Sequence, residues 1–114
     1  MIFEQYQKGL EFFNGAEFFD AHEALEDVWR AAPIEEKKFL QGLIQVAVAL
    51  HHHGKGNSAG ARSVLRRAFR NISQYPEGFG GIHSAVLLKE IAEWQRALDD
   101  GTPVPPLPKI LWAG

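Results

Sequence analysis

The amino-acid sequence predicts an all-α protein: a single compact bundle of about five helices around a central third helix, followed by an extended, proline-rich C-terminal tail. Apolar residues recur at three- and four-residue steps along most of the chain, and the strict alternation typical of a half-buried strand is absent. With 114 residues, the chain has the usual size of one domain. We expect a bundle over residues 1–101 and a tail over residues 102–114 that packs on it.

Capping and turn-forming residues divide the chain into predicted helices at residues 2–13, 16–31, 34–53, 58–75 and 82–98. Asn14-Gly15 supplies the end of the first helix, and Pro33 marks the end of the second. The third helix is apolar nearly all round from 40 to 50, which predicts a central position with contacts on several sides. Asn57 or Ser58 is available as an N-cap for the fourth helix, and a glycine-rich loop at 76–81 precedes the fifth.

The tail should run extended, because closely spaced prolines after residue 102 cannot continue a helix. It also contains residues that are too apolar for a free segment: Leu107, Ile110, Leu111 and Trp112. We expect them to lie over the bundle, although a groove on a second subunit would serve equally well. Trp29 and Trp94 continue apolar helix stripes and are predicted core residues.

Composition excludes several classes of function. The chain has no cysteine, so disulfides, thiolate metal sites and cysteine nucleophiles are excluded. Its formal net charge of -2 gives no global electrostatic reason to bind nucleic acid, which we do not expect as a partner. No segment is apolar enough to span a bilayer, so we expect a cytoplasmic protein without a membrane span. The small-molecule ligand and a homo-oligomeric state are left open.

A polar motif in the second helix is the first candidate site. Residues 22–26 form an HExxE pattern, which places His22 and Glu26 one turn apart on the face that also carries Trp29. We expect this face to point inward, where an unpaired carboxylate costs several kcal/mol. The third helix offers partners at matching steps: Gln41, Gln45, His51 and His52.

Two interpretations of this cluster stay open beside a simple contact with a small ligand. The first, which we favour, is a structural network of hydrogen bonds that lines or underlies a small cleft and fixes the register of two helices. The second is a hydrolase-like site in which His22, Glu26 and His51 or His52 bind a divalent metal and Glu23 or a second carboxylate activates water. The match to the zinc motif HExxH is incomplete, because Glu26 stands where that motif has histidine. The sequence establishes no cofactor.

A basic stripe on the fourth helix supports a third interpretation, a protein-interaction module that uses this stripe and the C-terminal tail. The stripe consists of Arg62, Arg66, Arg67 and Arg70. The second helix is rich in acidic residues, so the two helices are expected to pair either within one chain or between subunits.

Several motifs taken together resemble the domain-of-unknown-function 309 family. They are Asn14-Gly15, Phe18-Phe19, Ala21-His22-Glu23 with Glu26 and Trp29, and Leu40-Gln41-Gly42 continuing through Ala47 and Ala49 to His51. The resemblance covers roughly residues 10–70 and implies a small helical bundle, but the family's label carries no activity. It also implies that the best site candidates are His22, Glu23, Glu26, Trp29, Gln41 and His51.

Overall fold

The computed structural model describes residues 3–114 and confirms the all-α prediction. Its helices are α1 (Phe3–Asn14), α2 (Phe18–Ala31), α3 (Ile34–Gly54), α4 (Ser58–Ile72) and α5 (Ser84–Asp100). A short 3-10 turn, Phe79–Gly81, precedes α5. The described residues form no β-sheet, and their one isolated bridge joins Ile82 to Trp112.

The first two helices begin close to their predicted positions. Ile2, the predicted start of α1, lies outside the described residues. Ala16 was expected to begin α2 but has a φ of +60°, so the left-handed turn after Asn14 includes it and α2 begins at Phe18. The prediction of the α2 start was therefore wrong by two residues, because local turn geometry outweighs the helix propensity of alanine.

The segment between α4 and α5 differs more from the prediction. The fourth helix ends at Ile72 instead of continuing to Tyr75, whose ring packs edge-on against Phe39 of α3. The fifth helix begins at Ser84, where the Glu77 carboxylate accepts a hydrogen bond from the serine hydroxyl at 3.0 Å. The first difference arises from a contact between residues distant in sequence and the second from a side-chain cap seven residues upstream, and a helical period reveals neither.

The third helix occupies the centre of the bundle, as predicted. It packs against α2 on one flank and α4 on the other, while α1 packs on α2 and α5 packs on α4. Its apolar circumference explains this position, because a helix that is hydrophobic nearly all round requires neighbours on several sides. The following α3 residues are completely buried: Phe39, Leu40, Leu43, Val46 and Ala47.

The C-terminal tail runs without helix along the bundle and is fixed by polar contacts. Asn14 bonds both main-chain groups of Ile110, donating to its carbonyl at 2.9 Å and accepting from its N–H at 2.8 Å. The buried Trp94, a confirmed core residue, donates its indole N–H to the Pro106 carbonyl at 2.9 Å. Ile110 is buried, and the Trp112 ring lies against Tyr6 with a centroid distance of 6.0 Å. Three apolar tail residues keep 41–47% of their surface exposed: Leu107, Leu111 and Trp112.

Within residues 3–114, none of the helices combines the length and the apolar content that crossing a bilayer requires.

Candidate functional site

A shallow, open groove lies on the surface between α2 and α3. Residues at three- and four-residue steps on both helices face it: His22, Glu26, Trp29, Arg30, Gln41, Ile44, Gln45 and Val48. Five of them were predicted site residues, so the structure brings together His22, Glu26, Trp29, Gln41 and Gln45. The same spacing on two packed helices accounts for this, because each set of side chains forms one continuous stripe.

The polar rim of the groove is a chain of side-chain contacts along α2. His22 Nε2 lies 3.0 Å from Glu26 Oε2, and Arg30 Nη2 lies 3.2 Å from Glu26 Oε1. The other guanidinium nitrogen, Nη1, bonds Asp27 Oδ1 at 2.6 Å. The side chains of His22 and Glu26 are 28% and 38% exposed, so the expectation that this pair points into the core was wrong. In the groove between α2 and α3, the two side chains keep part of their hydration, which avoids the desolvation cost of a buried charged pair.

The two glutamines of α3 do not bond Glu26 as expected. Gln45 Oε1 accepts a hydrogen bond from Asn71 Nδ2 of α4 at 2.8 Å, and Gln41 is exposed. Arg30 takes the role that was predicted for the amides. Its position four residues after Glu26 is the sequence signal that could have identified it.

Trp29 forms one edge of the groove and is only partly buried, so its prediction as a core residue was incomplete. The Lys37 ammonium lies 4.3 Å from the centroid of the Trp29 indole ring. Lys37 also donates hydrogen bonds to the carbonyls of Trp29 at 2.5 Å and Arg30 at 3.4 Å, and it thereby caps the C-terminus of α2. This lysine was not predicted, because only the turn between α2 and α3 brings it back to Trp29.

The remaining predicted site residues lie away from this rim. The ring of Phe19 contacts both His22 and His51, with centroid distances of 6.0 Å in each case. His51 and His52 do not line the groove, and Glu23 is exposed beside it. Across residues 3–114, no three side chains of His, Asp or Glu converge in a way that could hold a metal ion. The metal interpretation therefore stays a prediction for which the structure shows no assembled set of ligands.

The basic stripe does not pair with α2 inside the chain. Arg66 Nη2 lies 3.0 Å from Asp99 Oδ1 of α5, and Arg67 donates to the Ser63 hydroxyl at 3.1 Å. Arg62 and Arg70 are exposed on the same surface. Because α2 and α4 pack on different flanks of α3, the acidic and basic helices do not neutralise each other within one copy.

The groove lies in a segment of the chain that matches a known protein family. The profile of a family described as Domain of unknown function (DUF309) matches residues 6–64, which include both helices of the groove. An "Uncharacterized protein" of Aquifex aeolicus (strain VF5) is 34% identical over 92 residues, covering 80% of this chain and 28% of the relative. The "Uncharacterized protein YpuF" of Bacillus subtilis (strain 168) is 39% identical over 62 residues, covering 54% of this chain and 36% of the relative. The chain thus spans about a third of the length of these curated relatives.

Proposed function

We propose that this chain, which belongs to the domain-of-unknown-function 309 (DUF309) family, acts as a protein-interaction domain that binds a polypeptide surface along the α2–α3 groove. The open shape of the groove carries this proposal. Small-molecule sites typically enclose most of their ligand, whereas a shallow groove between two helices leaves one side free for a macromolecular surface.

The composition of the groove supports the same function. Its floor is apolar at Ile44 and Val48, and its rim carries Trp29 and Arg30, residue types that are enriched at protein interfaces. Both Glu26 oxygens are already bonded, to His22 and to Arg30. A carboxylate whose two oxygens are both bonded within the chain suits a structural network better than a reacting centre.

Exposed apolar side chains lie near both ends of the groove. Phe19, one turn before His22 on α2, is 55% exposed, and Ile34, the first residue of α3, is 82% exposed. Large exposed apolar residues beside a polar rim are typical of protein contact surfaces. They give the groove two anchoring points for a partner.

The relatives are consistent with an interaction module, because in them the matched segment forms only 28–36% of a longer chain. A cysteine-free sequence also suits the reducing cytoplasm, where we propose that the domain acts.

Site-specific photocrosslinking tests the proposed function. A photoreactive amino acid at Gln41, which is exposed on the groove, should give a discrete crosslinked product in cells that express the protein. The same group at Lys89, exposed on α5, is the matched control and should not give that product. The substitution Phe19→Asp should abolish the product at Gln41 without changing the far-ultraviolet circular dichroism. Identical products at both positions, or a Gln41 product that Phe19→Asp leaves unchanged, would contradict the proposal.

A further inference from the structure

We propose that the partner of this surface is a second copy of the same chain, an inference that rests on the proposed function. In this dimer, the faces formed by α2, α3 and α4 meet about a two-fold axis that runs along α3. The acidic α2 of each copy then lies against the basic α4 of the other.

The charges on α2 and α4 are opposite and strongly separated. The second helix contains four acidic residues and one arginine, whereas the fourth contains four arginines and no acid. Arg30 pairs with Glu26 and Asp27, and Arg66 pairs with Asp99. Within the described part of the chain, no ion pair involves the remaining charged residues of the two helices, which are Asp20, Glu23, Arg62, Arg67 and Arg70.

One face of the molecule presents both charged helices with α3 between them. On one flank His22 and Gln45 line the groove together, and on the other flank Gln45 bonds Asn71 of α4. The middle of this face carries the uncharged Gln41, Gln45 and the half-buried Val48. The face is therefore negative on one side, uncharged in the centre and positive on the other.

Charge decides between the two simple orientations of a two-fold axis in the plane of this face. An axis across α3 would place α2 against α2 and α4 against α4, so that arginines of both copies would face each other. An axis along α3 places α2 against α4 at two equivalent contacts, because a two-fold interface repeats every contact. Like charges in apposition disfavour the first arrangement, and opposite charges favour the second.

Glu23 of α2 and Arg67 of α4 lie at similar heights along the axis of α3, which agrees with this pairing. Glu23 follows His22, which shares the groove with Gln45. Arg67 precedes Asn71, the partner of Gln45, by one helical turn. Both charges therefore lie near the level of Gln45 on opposite flanks of α3. A two-fold axis along α3 keeps that level and brings Glu23 opposite Arg67 of the second copy.

Charge reversal with sedimentation equilibrium tests the inference. The wild-type chain should dimerise in the micromolar range, and Glu23→Arg or Arg67→Glu alone should weaken the dimer about tenfold or more, since each change introduces two repulsive contacts. An equimolar mixture of the two variants should restore the affinity, because both contacts in the mixed dimer are then attractive. The double variant, with both changes in one chain, should also dimerise.

The controls separate charge pairing from damage to the fold. Glu93→Arg, an equivalent reversal at an exposed site on α5, should leave the dimer unchanged. If a variant failed to fold, mixing it with the other variant would not restore dimerisation. The neutral changes Glu23→Gln and Arg67→Gln should weaken the dimer less than the charge reversals do. Single reversals that leave the affinity unchanged would overturn the pairing of α2 with α4.

The outcome also distinguishes this inference from the proposed function. A wild-type chain that stays monomeric at every concentration would overturn self-association. If Gln41 then still crosslinked to a different protein in a manner that depends on Phe19, the proposed interaction domain would stand. A Gln41 product with twice the mass of the chain supports both.

Discussion

Replacement of Gly42 by alanine should destabilise the bundle at the contact between α3 and α4. A methyl group on Gly42 would lie 2.6 Å from Ile72 Cγ1, 3.2 Å from the Ile72 nitrogen and 3.3 Å from the Ala68 carbonyl oxygen. Ile72 and Ala68 are completely buried, and two of these three atoms belong to the backbone. Relief of the clash therefore requires α4 to move away from α3.

The expected magnitude follows from two opposing effects. Overpacking of a well-packed contact costs about 1–3 kcal/mol. Alanine is favoured over glycine inside a helix by about 1 kcal/mol. We expect Gly42→Ala to lower the free energy of unfolding by up to about 2 kcal/mol. The control is Gly54→Ala at the end of the same helix, where an added methyl meets nothing within 4 Å. That variant should be as stable as the wild type or more stable.

Urea unfolding followed by circular dichroism measures both variants under the same conditions. If their m-values equal that of the wild type, the difference between the two variants isolates the steric cost, because the chemical change is identical. A Gly42→Ala protein as stable as Gly54→Ala would refute the close approach of α3 and α4. It would also leave the glycine of the Leu40-Gln41-Gly42 block without a packing role.

Two further changes test single interactions. Tyr6→Phe removes the buried hydroxyl that donates to the Gly80 carbonyl at 2.8 Å and should lower the free energy of unfolding by about 1 kcal/mol in urea titrations. Burial raises the pKa of Tyr6 above its ordinary value of 10.0, so the hydroxyl ionises at lower pH in the unfolded chain than in the folded one. The stability of the wild type should therefore fall as pH rises above 10.0. The Tyr6→Phe variant should show a smaller fall. The Ala85 N–H, together with the Ser84 hydroxyl, lowers the pKa of Glu77 below its ordinary value of 4.5. The stabilisation that the Glu77 carboxylate provides is present above pH 4.5 and is lost as pH falls through the lowered pKa. The melting temperatures of Glu77→Gln and the wild type should therefore converge in acid. A difference in melting temperature that stayed constant with pH would contradict this.

The architecture was largely predictable because helical periodicity and turn residues act locally. The five helices follow from apolar steps and from breaks such as Asn14-Gly15 and Pro33, and the uniform apolarity of α3 predicted its central place. The segment after Ile72 was not predictable from these signals. There the Tyr75 hydroxyl donates to the Glu35 carbonyl at 2.7 Å, a contact across forty residues that replaces the last helical turn.

The candidate site was predictable in its positions but not in its partners. Helical spacing correctly grouped His22, Glu26 and Trp29 on one stripe of α2. It could not show how deeply that stripe is buried, because the period gives a direction around the helix and not the distance to solvent. Gln45 was assigned to the wrong neighbour for a related reason: it lies between two helices, and only the tertiary structure shows that Asn71 is its partner.

The arrangement around Glu26 bears directly on the metal hypothesis. His22 Nε2 faces Glu26 Oε2 and Arg30 Nη2 bonds Oε1, so a cation that bound between His22 and Glu26 would have to separate this pair and would compete with the guanidinium for the carboxylate. An Arg30 side chain that left Glu26 would still have Asp27 as a partner through its other guanidinium nitrogen. A metal would therefore compete with two local ion pairs at an exposed rim. A polypeptide partner could use the same residues as they stand, which is the arrangement that the proposed interaction function requires.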